Sequence, residues 1–502
     1  MTHLLGLDIG TTGCKASLFN LHGKLVAASN REYVVEFPKP GWAEQDAEMV
    51  WLHAQWVMKE VLFKAGKKDV AAIGLSVQGE AITPVDQNGQ ALRPMILGMD
   101  TRTVEQNRWL ENRFGKRNLF EKTGMPIHTI NTLPKLLWLR EFEPDIWKKA
   151  ERFMLYEDFL IRKMTGESVV SRCLASRTQL FDVQQNDWYG EVLDVLELDR
   201  SRLSMIRDSG SAVGRMSSAL SKEIGFAEPP MVVTGGHDQS CGAFGVGLTQ
   251  PGLASVSTGT AEVVEVALAS PNVSQPLFAG NISVYAHVYK NLFVTMTLNH
   301  SGGLLFRWFR DTLGQDEIRR AQESGTDAYN LLLQNAPSGP TSLWVLPHFS
   351  GSGTPTFDTS SKGAFLGLSF STTKAEIAKA ILEGLTYELR LNLDLMKDGG
   401  VQIDELRAIG GGAKSDLWLQ LKADITGTRV VVPLVTEAAS MGAAFLAGQG
   451  AGLFADAGEE INRHLRFGKV FEPNPEKREA YAQKFNIYKE IYPTLMELNH
   501  RM

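Results

Sequence analysis

MVVTGGHDQSCGAFGVGLTQPGLASVSTGT, residues 231–260, is the stretch on which the reading of this chain turns. An apolar run, Met231–Val233, predicts a strand that turns on Gly235-Gly236. His237, Asp238 and Gln239 follow at what reads as a helix start. A second strand then ends in Ser257-Thr258-Gly259-Thr260. A carboxylate on a strand-to-helix turn lies at the mouth of an α/β sheet, where ligands bind. A Thr-Gly-Thr turn can wrap backbone N–H groups and hydroxyls around phosphate oxygens. Together they suggest a base facing a nucleotide phosphate. A plain helix N-cap at Asp238 is the alternative.

The N-terminus carries a second turn of the same kind. His3–Ile9 is a short apolar strand, with Leu5, Leu7 and Ile9 on one face and Leu4, Gly6 and Asp8 on the other. It runs into Gly10-Thr11-Thr12-Gly13, and strands Lys15–Phe19 and Lys24–Ala28 return after turns. This is a hairpin meander rather than a strand-to-helix phosphate loop. Its glycines allow close backbone approach, Thr11 and Thr12 bring hydroxyls, and Lys15 brings a charge. Asp8 is placed to hold Mg²⁺, directly or through water. A tight hairpin using Gly and Thr for geometry alone is the competing reading. After Gly252 the pattern recurs loosely: strand, Thr258–Thr260 turn, strand Glu262–Leu268. This echo divides the chain near residue 248 into halves, 1–248 and 249–502, each opening on a phosphate-type hairpin.

Totals narrow the class. A 502-residue chain with 43% hydrophobic and 22% charged residues has room for two large globular domains. A net charge of −6 without a long basic run argues against a nucleic-acid partner. Cys14, Cys173 and Cys241 are far apart and form no Cys-x-x-Cys pair, so neither a disulfide framework nor a zinc site is indicated. A reducing, cytoplasmic setting is expected. The first residues show no basic-then-apolar leader, and no apolar run reaches about 18 residues, so no membrane segment is expected.

Other segments add chemistry. Val70–Val77 reads as a strand ending in Gln78-Gly79-Glu80, and Asp100 and Arg102 follow a hairpin. Glu80, Asp100 and Arg102 thus lie at strand ends, where carboxylates accept from paired hydroxyls of a sugar. Solvated loop charge is the bland account of each. Asn131–Glu143 reads as a helix, while residues 150–230 show apolar spacing without legible chemistry. Glu376–Leu391 is a helix in which Gly384 is costly unless close packing needs it. Leu406–Ile409 meets Gly410-Gly411-Gly412-Ala413-Lys414, with Ser415 as N-cap of the next helix. A flat adenine or ribose can lie on such a surface, since no side chain blocks it. Glu437–Gly448 is a small-residue helix suited to tight packing below that loop.

These motifs, in this order, resemble the FGGY family of carbohydrate kinases over nearly the whole chain. DIGTT (8–12) resembles the family's first phosphate loop, and Asn131–Glu143 its first signature, around Lys135 and Trp138. Gly363–Glu383 is similar to the second signature, GGGAKS (410–415) to the adenosine loop, and GGHDQ (235–239) to the segment bearing the catalytic aspartate. The resemblance implies an α/β, actin-like fold of two ribonuclease H-type domains with ATP and sugar in the cleft between them. It implies Asp238 as general base, with Asp8 and Asp238 beside Mg²⁺. Thr11, Thr12, Lys15, Thr258, Gly259 and Thr260 would line the phosphates. Gly303, Gly411, Gly412, Ala413 and Lys414 would line adenosine. Gly79, Glu80, Asp100, Asp238 and Gln239 would face the sugar.

Gly79-Glu80 departs from the Met-His usual in xylulokinases and the Arg-Glu of glycerol kinases. The expected activity is ATP-dependent phosphorylation of a neutral sugar, foremost a ketopentose such as xylulose. Kinases of erythritol, glycerol, ribulose, fuculose or gluconate are alternatives, although the Glu80 carboxylate disfavours an acid unless a cation intervenes. A non-kinase actin-like ATPase is a rival, but it leaves Glu80, Asp100 and Asp238 without a purpose. A homodimer is the expected assembly.

Overall fold

A computed structural model describes residues 2–502. The first half opens with β1 (His3–Ile9), β2 (Gly13–Asn20), β3 (Leu25–Glu32), α1 (Ala47–Ala65) and β4 (Val70–Val77). It continues through α2 (Thr132–Phe142), α3 (Arg172–Arg177), the edge strand β5 (Ala212–Arg215), β6 (Met231–His237) and α4 (Asp238–Gly245). Asp46 starts α1 by accepting from the amides of Glu48 and Met49 at 2.9 and 3.2 Å, and left-handed Gly66 ends it. The strand order is β5-β6-β4-β1-β2-β3. β1 pairs antiparallel with β2 and parallel with β4, which is parallel to β6.

The second half holds β7 (Gly252–Thr258), β8 (Glu262–Leu268), β9 (Ser283–Ala286), β10 (Phe293–Asn299), α5 (Gly303–Leu313) and α6 (Lys374–Asp398). It ends with β11 (Ile403–Gly410), α7 (Asp416–Thr426), β12 (Arg429–Pro433), α8 (Ala438–Gly450), β13 (Phe467–Phe471) and α9 (Pro475–Asn499). The order is β9-β10-β8-β7-β11-β12-β13. β7 pairs antiparallel with β8 and parallel with β11, which is parallel to β12. Strand for strand, β10-β8-β7-β11-β12 repeats β3-β2-β1-β4-β6. The echo read in the sequence is therefore a repeat of topology, the doubled ribonuclease H-type sheet of an actin-like fold.

Helices cover both faces of each sheet, so the central strands read as continuous apolar runs. Leu5, Leu7 and Ile9 enter the main core, while Leu4 packs with Ala443, Ala444 and Ala447 of α8. That contact corrects one expectation. The small-residue helix α8 does not lie below the glycine loop of the second half; it packs on β1 and β4 of the first sheet and on α4. Glycines set the approach. A Cβ at Gly6 or Gly74 would fall on the carbonyl of Ser440 or Ala443, and one at Gly245 on that of Ala438. Gly384 in α6 sits likewise against the Val345 carbonyl, the close packing its cost demanded. All three cysteines are free and buried. No helix among the described residues is long and apolar enough to cross a membrane.

The seat of α8 predicts a contrast between two glycines. Gly74→Ala should cost about 2–3 kcal/mol or more, because backbone must move to admit the methyl. Gly259→Ala, where a Cβ meets nothing within 4 Å, should stay within about 0.5 kcal/mol. Urea unfolding midpoints check this, and equal midpoints would contradict the seat of α8.

Candidate active site

Asp238 owes its position to a bulge. The register of β6 against β4 shifts between Val233 and Gly236. A Cβ at Gly235 would overlap the Leu75 carbonyl, so only glycine permits this path. Buried Glu157 accepts from the Gly235 amide at 2.7 Å and from the Ser171 amide at 2.6 Å, holding the bulge in place. The N-cap of α4 is His237, not Asp238, and no side chain caps the helix. Asp238 is the first helical residue, half-buried, with Oδ1 accepting from the Gln239 amide at 2.7 Å. His237 Nε2 lies 3.2 Å from the same oxygen. Burial, then the Arg177 charge, drives the His237 pKa far down and keeps the ring neutral.

α4 joins the two lobes at this point. Ser240, two residues beyond Asp238, donates to Glu265 of β8 at 3.0 Å, and Tyr285 of β9 donates to the same carboxylate. From the first lobe, Asp8 lies across from Ser76, which donates to it at 2.7 Å. Lys15 pairs at 2.8 Å with Glu437, the residue before α8. Burial, then Asp8, then Glu80 push the Asp238 pKa up, against the pull of the Gln239 amide and Arg177. Burial also raises Asp8, opposed by Ser76 and Lys15. The Asp8 carboxylate thus acts on Asp238, and Lys15 is the cation that acts on Asp8. No cluster of three or more His, Cys, Asp or Glu able to hold a metal exists among the described residues. Two hard oxygen donors fit a divalent cation that takes its remaining ligands from water and phosphate, as Mg²⁺ does.

The two glycine turns are braced from behind. Tyr33 and Gln78 donate to the Gly10 carbonyl at 2.6 and 3.2 Å, and Gln45 to the Thr11 carbonyl at 3.0 Å. Thr12 remains exposed. In the second turn, Gly259 and Thr260 are exposed, and their carbonyls receive the amides of Gly303 and Gly302 at 2.8 and 2.9 Å. Thr258, expected at the phosphates, is turned inward. Its hydroxyl donates to Glu262 at 2.7 Å and accepts from Lys422 at 2.9 Å, within a buried Lys422–Glu262 pair. Gly410 and Gly412 stack on Thr258, where a Cβ on either would clash. Gly411 and Lys414 stay exposed, with Ala413 half-buried. A cleft of about 410 Å³ opens beside Lys414 and Ser415.

The sugar-side residues divide. Gly79 and Glu80 lie beside His237 and Arg177. Glu80 is held at φ 59° while Lys135 and Thr132 of α2 donate to its carbonyl at 3.1 and 3.0 Å. Such backbone strain persists only where the surroundings impose it. Gln239 is half-buried next to Asp238. Asp100, expected at the sugar, is engaged within the protein. It is fully buried, and its oxygens serve Arg102 at 2.7 Å and the Ala43 amide at 2.6 Å. Arg102 in turn lies over Trp42 and Trp138. Sequence reasoning missed Arg177, Glu157 and the Lys422–Glu262 pair. Arg177 sits in residues 150–230, and the one sequence hint of it is the side chain absent at Gly79.

Comparisons with known proteins identify the family. Residues 3–245 match the N-terminal domain, and residues 254–451 the C-terminal domain, of the FGGY family of carbohydrate kinases. The chain belongs to that family, and it is a carbohydrate kinase. It is 30% identical to a xylulose kinase of Bacillus subtilis, over 99% of this chain and 98% of that one. Among solved structures, a ligand-bound xylulose kinase from Lactobacillus acidophilus superposes with a TM-score of 0.91 at 26% identity, covering 99% of both chains. A gluconate kinase from the same organism gives 0.90 at 26% identity over 98% of both.

The inward Thr258 hydroxyl predicts a structural phenotype. Thr258→Val should lower the thermal midpoint by leaving the Lys422–Glu262 pair short of a partner. It should leave the KM for ATP within about twofold, since no free hydroxyl is lost. A large rise in ATP KM at unchanged midpoint would place that hydroxyl on the nucleotide instead.

Proposed function

We propose that the protein transfers the γ-phosphoryl group of ATP to a hydroxyl of a neutral sugar, with Asp238 as general base and a ketopentose of the xylulose type as acceptor. The observation that carries this is the placing of Asp238 on the lobe-joining helix α4, raised in pKa by burial, Asp8 and Glu80. A sugar hydroxyl is a weak nucleophile at neutral pH. A carboxylate within hydrogen-bond reach takes its proton as the O–P bond forms. Mg²⁺, held by Asp8 and Asp238 together with the phosphates, would neutralise charge on the transferring group. The exposed turn around Thr11 and Thr12, Lys15, and the Gly259-Thr260 turn would cradle the phosphates. The Gly303 turn and Gly411–Lys414, beside the 410 Å³ cleft, would take adenosine. Closure of the lobes would exclude water and limit ATP hydrolysis.

The choice of acceptor rests on hydrogen-bonding chemistry rather than fold. Xylulose and gluconate kinases from Lactobacillus acidophilus superpose on this chain almost equally well. Arg177 pairs with Glu80 and blunts its repulsion of an acid, but the second Glu80 oxygen still accepts from a hydroxyl and not from a carboxylate, which has no proton to give. The xylulose kinases among the relatives favour a ketopentose within the neutral class. ADP release over pentuloses, polyols, hexuloses and aldonates tests the acceptor. D-xylulose should give the highest kcat/KM; an aldonate in that place would refute the neutral-sugar reading. Asp238→Asn should lower kcat by about 10²–10⁴-fold while the protein stays folded. Unchanged turnover would remove Asp238 from proton transfer.

A further inference from the structure

Gly79 has no side chain, yet the space beside it is full. A Cβ built there would lie 2.9 Å from the His237 ring and 3.1 Å from Arg177 Nε. Arg177 reaches this place from α3, far along the chain. Its guanidinium is almost wholly buried, pairs with Glu80 Oε1 and lies 4.4 Å over the Tyr285 ring. Its Nη1 finds only the Met296 sulfur, at 3.8 Å, and its Nε has no partner. Burial alone would lower its pKa, but the Glu80 carboxylate, with Tyr285 and Glu265, moves it up. As a purely structural pair this one is a poor choice, since apolar residues of similar size commonly do as well. Arg172, at the other end of α3, instead serves Asp208 and the Lys290 carbonyl.

Glu80 is the group that Arg177 orients. Its backbone is held in the left-handed region by α2, and Oε1 faces the guanidinium. Oε2 is turned toward Gly98, 3.8 Å from where a Cβ there would stand, and accepts no hydrogen bond from the groups that hold the rest of Glu80. We propose that Arg177 is a positioning residue for the sugar site: it takes the volume Gly79 leaves and turns one Glu80 oxygen inward, so that the other accepts from a hydroxyl of a neutral polyhydroxy substrate. This rests on reading Glu80 and Asp238 as the acceptor site. A guanidinium at 177 and a side chain at 79 are therefore alternatives for one volume. Moving the cation from 177 to 79 preserves the pair, while adding a second cation at 79 does not fit.

Steady-state kinetics of the full chain, with MgATP and D-xylulose or the best acceptor of the sugar panel, test this. Arg177→Met should raise the sugar KM about tenfold or more, as for a lost charge-assisted contact, and leave the ATP KM within about twofold. Arg177→Lys should recover part of the loss. Gly79→Arg combined with Arg177→Ala should outperform either single variant. If thermal melts show that Arg177→Met is unfolded, the double variant against its singles decides. An unchanged sugar KM in folded Arg177→Met, an equal rise in ATP KM, or a double variant no better than its better single overturns the role of Arg177. A wild type that releases no ADP with any sugar overturns the kinase reading and this inference together.

Discussion

The close approach of one small-residue helix to a sheet it does not follow in the chain organises this molecule. α8 succeeds β12 of the second sheet but lies on β1 and β4 of the first. The contact is backbone to backbone, at Gly6 and Gly74, and leaves no room for a methyl group. Protein interiors are packed too densely to absorb such a change without displacement. Glu437, just before α8, carries the arrangement to the site by pairing with Lys15 of the first glycine turn. α4 makes the reciprocal link: it begins with Asp238 at the end of the first sheet, and its Ser240 donates to Glu265 of the second. The crevice is therefore defined by two helices that cross between repeated halves.

The electrostatics of the crevice follow from that geometry. Asp8 comes from β1, Asp238 from the end of β6 and Glu80 from the end of β4, all at the carboxyl ends of parallel strands. Brought together, Asp8 and Glu80 add to burial in raising the Asp238 pKa, and Arg177 pairs directly with Glu80. A divalent cation carried with a nucleotide would complete the balance on the Asp8–Asp238 side. On the sugar side the balance is already internal, between Glu80 and Arg177. The two sides of one crevice thus call for different partners: a cation with phosphates on one, hydroxyls on the other.

Local motifs made much of this legible. The strand–Gly-Thr–strand echo gave the repeat because each turn is written in contiguous residues. Gly235-Gly236 before Asp238 signalled a constrained turn, which is a backbone bulge. What stayed hidden was tertiary. Nothing contiguous says that Thr258 spends its hydroxyl on a buried Lys422–Glu262 pair, or that Asp100 spends its oxygens on Arg102. The destination of α8 was misread because small residues announce tight packing without naming the surface packed against. Arg177 was invisible because a buried guanidinium and a surface one look alike in sequence; only the missing side chain at Gly79 pointed toward it.

The central claim is that one carboxylate in the crevice between the repeated halves faces the acceptor hydroxyl. A crystal structure of the chain with Mg²⁺, a non-hydrolysable ATP analogue and D-xylulose measures this directly. The account predicts an Asp238 oxygen within about 3.2 Å of a sugar hydroxyl that points at the terminal phosphorus. A sugar bound with Asp238 turned away, its reactive hydroxyl addressed by another group, would contradict it.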